Sequence, residues 1–169
     1  MHKKPFFLLT TLLLLAGCAA NSSKTVSEDT KGAEEASSKF YASLNTLFTG
    51  DAAPMQEVWS HADDVTYMGP AGGFQVGWDQ VRAIWESQAA LKLGGKVEPF
   101  ETRVTVGDNL AFVQCVERGD NHDAEGLPVQ VSIRATNVFR KENGEWKMIG
   151  HHTDLLPFLE KQSLTSAAN

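Results

Sequence analysis

The 169-residue chain has little cysteine, no excess of basic charge and no apolar run long enough to cross a bilayer. Each absence excludes something. Two cysteines, Cys18 and Cys115, allow at most one disulfide bridge. Lysine and arginine number 15 against 21 aspartates and glutamates. An acidic chain without a basic stripe is a poor binder of nucleic acid. The longest apolar stretch, Phe6 to Leu15, is interrupted by Thr10 and Thr11 and is shorter than the roughly 20 residues of a spanning helix. No internal repeat is visible.

What is present begins with an address. His2, Lys3 and Lys4 form a positive segment, Phe6 to Leu15 an apolar one, and Leu15-Ala16-Gly17-Cys18 closes it. That order resembles the signal peptide and lipobox of bacterial lipoproteins, with residues 1–17 removed and diacylglycerol on the Cys18 thiol. An ordinary signal peptide with an incidental cysteine is the alternative. The resemblance implies a protein anchored to a membrane rather than spanning it. Ala19 after the cysteine, instead of Asp, implies the outer membrane facing the periplasm in a Gram-negative cell. Two of the 15 basic residues, Lys3 and Lys4, precede Cys18, which leaves 13 against 21 acidic ones and a net charge of about −8. With Cys18 taken by lipid, Cys115 has no partner and reads as a buried, inert thiol in the apolar run Ala111 to Val116.

Residues 18–32 are rich in Ser, Thr, Lys and Asp and read as a lipidated cysteine followed by a flexible, solvated tether. Residues 33–160 suit one domain with a real core, and 161–169 a disordered tail. Ala36, Phe40, Leu44, Leu47 and Phe48 recur at helical spacing, with Gly50 as the stop. Pro54 to Ser60 predicts a second, short helix. Val65 to Met68 reads as a strand ending at Gly69-Pro70. Asp79 is placed to cap a third helix with Val81, Ile84 and Trp85 inward. Lys96–Val106, Leu110–Glu117, Val129–Lys141 and Glu145–Asp154 predict four strands, with Gly107-Asp108-Asn109 and Asn143-Gly144 as hairpin signals. Arg118 to Leu127 reads as a long acidic loop, and Pro157 to Gln162 as a short closing helix. Helices first and an antiparallel run afterwards argue for an α+β fold.

Several stretches carry a family resemblance: Asp64-Val65-Thr66-Tyr67-Met68-Gly69-Pro70, Gly77 before the third helix, and the hairpin from Val138-Phe139-Arg140 through Gly144-Glu145-Trp146 to His151-His152. Together they resemble the SnoaL-like branch of the nuclear-transport-factor-2 superfamily, over about Ala33 to Leu156. The resemblance implies a cone: a curved antiparallel sheet wrapped around N-terminal helices, as in the cystatin-like α+β barrel. The last hairpin is similar to that of the association domain of calcium/calmodulin-dependent kinase. There Glu117, Asn137 and Thr153 would stand where that domain has pocket arginines, so a strong carboxylate-binding cleft is not implied. Ketosteroid isomerases of this fold carry their base as an Asp before Pro. The matching pair here is Gly69-Pro70, and that mechanism does not transfer. The superfamily hosts both enzymes and binders, so the fold leaves function open.

Strand alternation places Val113, Cys115 and Glu117 on one inner face, Ile133, Ala135 and Asn137 on a second, and Ile149, His151 and Thr153 on a third. Glu117, at the end of an apolar face, could be desolvated and serve as general acid or base. The favoured alternative is a strand-end Glu paired with Arg118 or Arg134, or hydrated. His151 is the pocket candidate and His152 its outward neighbour, an assignment that a bulge would exchange. Adjacent strand histidines do not chelate one ion readily, so no metal is expected. His61 to Asp64 and Asp120 to Asp123 read as solvated turn residues. Trp59, Trp78, Trp85 and Trp146 are core by default, and Tyr67 and Trp85 are placed at the cone mouth.

Three functions follow, in this order. The first is an anchored pocket protein binding a small apolar or amphipathic molecule, with no cofactor. The second is a SnoaL-type enzyme (isomerase, cyclase or lyase chemistry) with Glu117 and His151 as acid and base. The third is an oligomeric scaffold. A homodimer through the outer sheet face, with Trp146 and His152, is expected of such a domain.

Overall fold

In a computed structural model of the chain, residues 16–70, 72–123 and 125–154 are described, with side chains from Val26 onward. The signal segment before Ala16, the closing helix at Pro157–Gln162 and the tail lie outside the described residues. Among the described residues no helix is long and apolar enough to cross a membrane.

The first helix, α1, runs from Ala16 to Leu47, so the stretch read as a flexible tether is helical. No proline interrupts it, and its alanines, lysines and glutamates are good helix formers. From Val26 it is also docked. Asp29 pairs with Lys141, and Gly32 sits under Trp146, where a Cβ would lie 2.8 Å from the indole ring. Trp146 is therefore half-covered by α1 instead of standing free on the outer face, while His152 is exposed. α1 buries Phe40, Leu44 and Leu47 against the sheet. It is tied there by Asn45, whose amide donates to the Val97 carbonyl at 2.9 Å and accepts from the Val97 N–H at 2.8 Å.

A short α2 (Ala53–Val58) follows, then β1 (Thr66–Met68), β2 (Gln75–Val76) and α3 (Trp78–Leu91). Gly77, not Asp79, is the N-cap of α3 and makes no side-chain cap; Asp79 lies in the first turn. Four long strands complete the sheet: β3 (Lys96–Val106), β4 (Leu110–His122), β5 (Pro128–Glu142) and β6 (Glu145–Asp154). The order across the sheet is β2-β1-β6-β5-β4-β3. The sheet is mixed, because β1 runs parallel to β6, with Tyr67 opposite His151. The chain between them is long enough to make that return, which a tight turn could not.

The acidic segment expected as a loop is mostly strand. Asp120 pairs with Gln130 and His122 with Pro128, leaving a turn after His122. Gly95 allows this extension: a Cβ there would stand 1.8 Å from the Asp120 carbonyl, and its φ of +71° suits glycine. Asn143 and Gly144, at φ 52° and 87°, close the β5–β6 hairpin as an Asn-Gly pair should. Pro99 lies on β3, at the sheet edge, where its missing N–H is tolerated.

A register shift at Val138/Phe139 changes the phase of β6. Met148 is consequently the buried neighbour in the core, while Ile149, expected on the inner face, is half-buried. Beyond the shift His151 and Thr153 point inward. The architecture is the α+β, cystatin-like cone that the sequence suggested, closed by Trp59, Trp85, Phe40 and Phe139.

Candidate functional site

The inner faces of β4, β5 and β6 present Cys115 and Glu117, Asn137, and His151 to one side of α1. Register explains the meeting: Asn137 lies opposite His151, and Glu117 opposite Ile133, four residues from Asn137 along β5. α1 adds Tyr41, one residue beyond the core Phe40. Glu117 is 3% exposed, His151 4% and Asn137 0%.

These side chains form one directed chain of hydrogen bonds. Tyr41 donates its hydroxyl proton to Glu117 Oε1 at 2.9 Å. Asn137 Nδ2 donates to the Tyr41 oxygen at 3.1 Å. The Cys115 sulfur is 3.0 Å from that oxygen and, with the tyrosine proton spent on Glu117, is the donor of the pair. Asn137 Oδ1 faces His151 Nδ1 at 2.6 Å. An amide oxygen only accepts, so Nδ1 carries the proton. His151 Nε2 is thereby left with its lone pair, 4.0 Å from Glu117 Oε1. That gap exceeds a direct hydrogen bond, and an atom seated between the two could contact both.

Burial sets the charge of this group. It raises the Glu117 carboxyl to about 7, with the Tyr41 hydrogen bond pulling back. It lowers the His151 imidazole to about 3, aided by the neighbouring His152. Tyr41 is held far above the usual phenol value by burial and then by Glu117. Burial also raises the Cys115 thiol, which keeps it protonated and inert. Near neutrality the site therefore holds a neutral histidine facing a carboxyl that exists in both forms.

Of the two expectations for Glu117, the desolvated carboxyl holds and the hydrated or arginine-paired strand end does not. Glu117 is buried, and the arginines turn elsewhere, Arg118 to Glu101 at 2.6 Å and Arg134 to Asp154 at 2.7 Å. Strand alternation sends residues 118 and 134 to the outer face, away from 117.

A cavity of about 120 Å³ opens above the pair. Its walls are mainly apolar, from Leu44, Phe48, Val97 and Ile133, and Tyr67, Trp85 and Gln88 also line it. Tyr67 and Trp85 are 3% and 2% exposed, deeper than a mouth position. Gln88 donates to the Tyr67 hydroxyl at 2.7 Å. Burial raises Tyr67 to about 12, keeping it a neutral donor. Thr153 is buried with its hydroxyl unpaired and does not line this cavity.

Residues 35–155 match the SnoaL-like domain. The chain belongs to that family. Among solved structures, the SnoaL-like domain is similar to a protein of the NTF2-like family from Streptomyces avermitilis assigned as a dehydratase. The two are 23% identical over 77% of this chain and 97% of that one, with a TM-score of 0.68. An NTF2-like protein with a cystatin-like fold from Novosphingobium aromaticivorans is 20% identical over 84% and 90% of the two chains, with a TM-score of 0.64. A Thiobacillus denitrificans protein assigned to the calcium/calmodulin-dependent kinase II association domain is 26% identical over 73% and 94%, with a TM-score of 0.59. No curated protein matches the chain.

The structure also shows why position 69 of this SnoaL-like domain carries no side chain. A Cβ on Gly69 would lie 2.1 Å from the Tyr67 hydroxyl. The space that a residue-69 base would need is filled by that tyrosine. Tyr41 and Gln88 escaped the sequence reading. Tyr41 was hidden beside Phe40, although its helical spacing from Leu44 and Phe48 is a signal that it shares their inward stripe. The loop clusters also resolve: His61 stacks on Trp78 at 4.4 Å, Asp64 binds Arg140 at 2.6 Å, and Asn121 donates to the Gly94 carbonyl at 2.8 Å from within β4.

Proposed function

We propose that this SnoaL-like domain is a small-molecule acid/base enzyme, in which Glu117 moves the proton and His151 positions the substrate. The observation that carries this is the buried approach of Glu117 Oε1 to the bare Nε2 of His151 at the floor of an apolar cavity. A titratable group strongly perturbed by burial beside a specific partner in a cleft is a functional-site candidate. A carboxyl titrating near 7 is suited to give and take a proton at neutral pH. An imidazole held neutral cannot be the acid, so its lone pair accepts a hydrogen bond from a substrate O–H or N–H. The chemistry that fits is an isomerisation or an elimination. In the first, the carboxylate takes a proton from one carbon and returns it to another. In the second, it takes the proton from carbon and delivers it to the departing hydroxyl as water leaves and the double bond forms. A cavity of about 120 Å³, against roughly 300–1,000 Å³ for drug-sized ligands, limits the substrate to a small compound or one end of a larger one.

A second reading, binding without catalysis, is favoured by the apolar walls and by Gly69 at the isomerase base position. Deuterium uptake separates the two. Small carbonyl and hydroxy compounds incubated in D2O with the wild-type chain should gain deuterium at carbon, and Glu117→Gln should abolish the gain. Uptake equal in both proteins, or in neither, leaves binding as the function.

The same proposal includes a location. The lipobox-like Leu15-Ala16-Gly17-Cys18 supports anchoring to the cell envelope through lipid on Cys18, at the outer membrane in a Gram-negative cell. Labelled palmitate should enter the wild-type chain and not Cys18→Ser. A homodimer through the outer sheet face, with His152 in the contact, is the expected assembly and is read by light scattering.

A further inference from the structure

The cavity lining carries two hydrogen-bond donors that the acid/base pair does not use, on rings that pack beside His151. Trp85 is 2% exposed, lines the cavity, and has an indole N–H without a partner among the described residues. A buried donor left unpaired costs roughly 1–3 kcal/mol and calls for an explanation. Beside it is Tyr67, whose ring meets Trp85 edge-on with centroids 4.6 Å apart. Gln88 Nε2 donates to the Tyr67 oxygen, which occupies the accepting side of the hydroxyl. No acceptor for the Tyr67 proton is present among the described residues. Gly69 holds the arrangement in place, since any side chain there would collide with the Tyr67 hydroxyl.

We infer that Tyr67 and Trp85 form a subsite for one acceptor oxygen of the ligand, specific for a neutral carbonyl-type group. An oxygen with two lone pairs satisfies both donors at once. A carboxylate is disfavoured, because no lysine or arginine lines the cavity and Glu117 does. An alkene of the same shape would leave both donors unpaired, and sites built to bond an oxygen discriminate strongly against such analogues. The subsite rests on the reading that this cavity takes a ligand, and it adds which group of the ligand Tyr67 and Trp85 hold.

The test is an NMR titration of the 15N-labelled chain with cyclohexanone and, in parallel, with methylenecyclohexane. The indole signal of Trp85, assigned through Trp85→Phe, should move downfield with the ketone and not with the hydrocarbon. Tyr67→Phe, which keeps the ring and removes the donor, should weaken ketone binding by ~5- to 10-fold. An indole signal that stays fixed in the wild-type chain at saturating ketone overturns the subsite, as does a Tyr67→Phe protein that binds the ketone as tightly as wild type. Neither readout involves proton transfer, so loss of the Glu117 reading in the deuterium experiment would leave this result standing.

Discussion

Glu117 Oε1 and His151 Nε2 lie 4.0 Å apart, both sealed from solvent, and burial shifts their ionisation in opposite directions. Burial favours the protonated form of the acid and the unprotonated form of the base. Their effects on stability must therefore oppose each other.

Glu117 titrates near 4.5 unfolded and near 7 in the fold, so the unfolded chain loses its proton first and stability falls as pH rises through that window. His151 titrates near 6.5 unfolded and near 3 folded, so stability falls as pH drops from 6.5 towards 3. Between 4.5 and 6.5 the two slopes cancel. Urea unfolding of the wild-type chain should give a nearly flat pH profile there. Glu117→Gln should show stability climbing by about 1.4 kcal/mol per pH unit up to 6.5, and His151→Asn should show it falling.

Tyr41 is the joint of the polar chain. Tyr41→Phe removes the proton given to Glu117 and the acceptor used by Asn137. A loss of about 1–3 kcal/mol follows from the buried groups left unpaired. The hydrogen bond is also what pulls Glu117 down, so the carboxyl should titrate higher in the variant, as 13C NMR of labelled glutamate would read.

Asn137 sets the histidine tautomer. In the wild-type chain the 15N spectrum of His151 should show a proton on Nδ1 and a bare Nε2 at neutral pH. Asn137→Leu removes the acceptor of that proton, and the two tautomers should then be mixed, with stability reduced by about 1–3 kcal/mol.

Gly69 is required by Tyr67. Gly69→Ala places a methyl 2.1 Å from the Tyr67 hydroxyl, so the ring must leave its place. Overpacking of this kind costs typically about 1–3 kcal/mol. In a Tyr67→Leu background, where the clashing end of the ring is gone, Gly69→Ala should lower the melting temperature less than it does in the wild-type chain, which a calorimeter can measure.

Much of the frame was legible because strands repeat every two residues. Alternation put Val113, Cys115 and Glu117 inward, and the Asn143-Gly144 turn fixed the last hairpin. The environment of Glu117 was not legible. Its tyrosine partner is 76 positions away on α1, and only the packing of α1 on the sheet brings them together. The bulge at Val138/Phe139 was equally hidden, so Ile149 was placed inside when Met148 is the core residue. The extension of β4 was obscured by its composition: Gly119, Asp120 and Asn121 read as a loop, yet pairing with β5 holds them as strand. The polar start of α1 misled in the same way, since its docking depends on Lys141 and Trp146 far along the chain.

The central claim is that Glu117 is a neutral-pH proton carrier. The most direct measurement is the titration of its carboxyl by 13C NMR in the wild-type chain, with Glu117→Gln identifying the signal. A midpoint near 7 is the expected result. A midpoint near 4.5, the ordinary carboxylate value, would contradict the account.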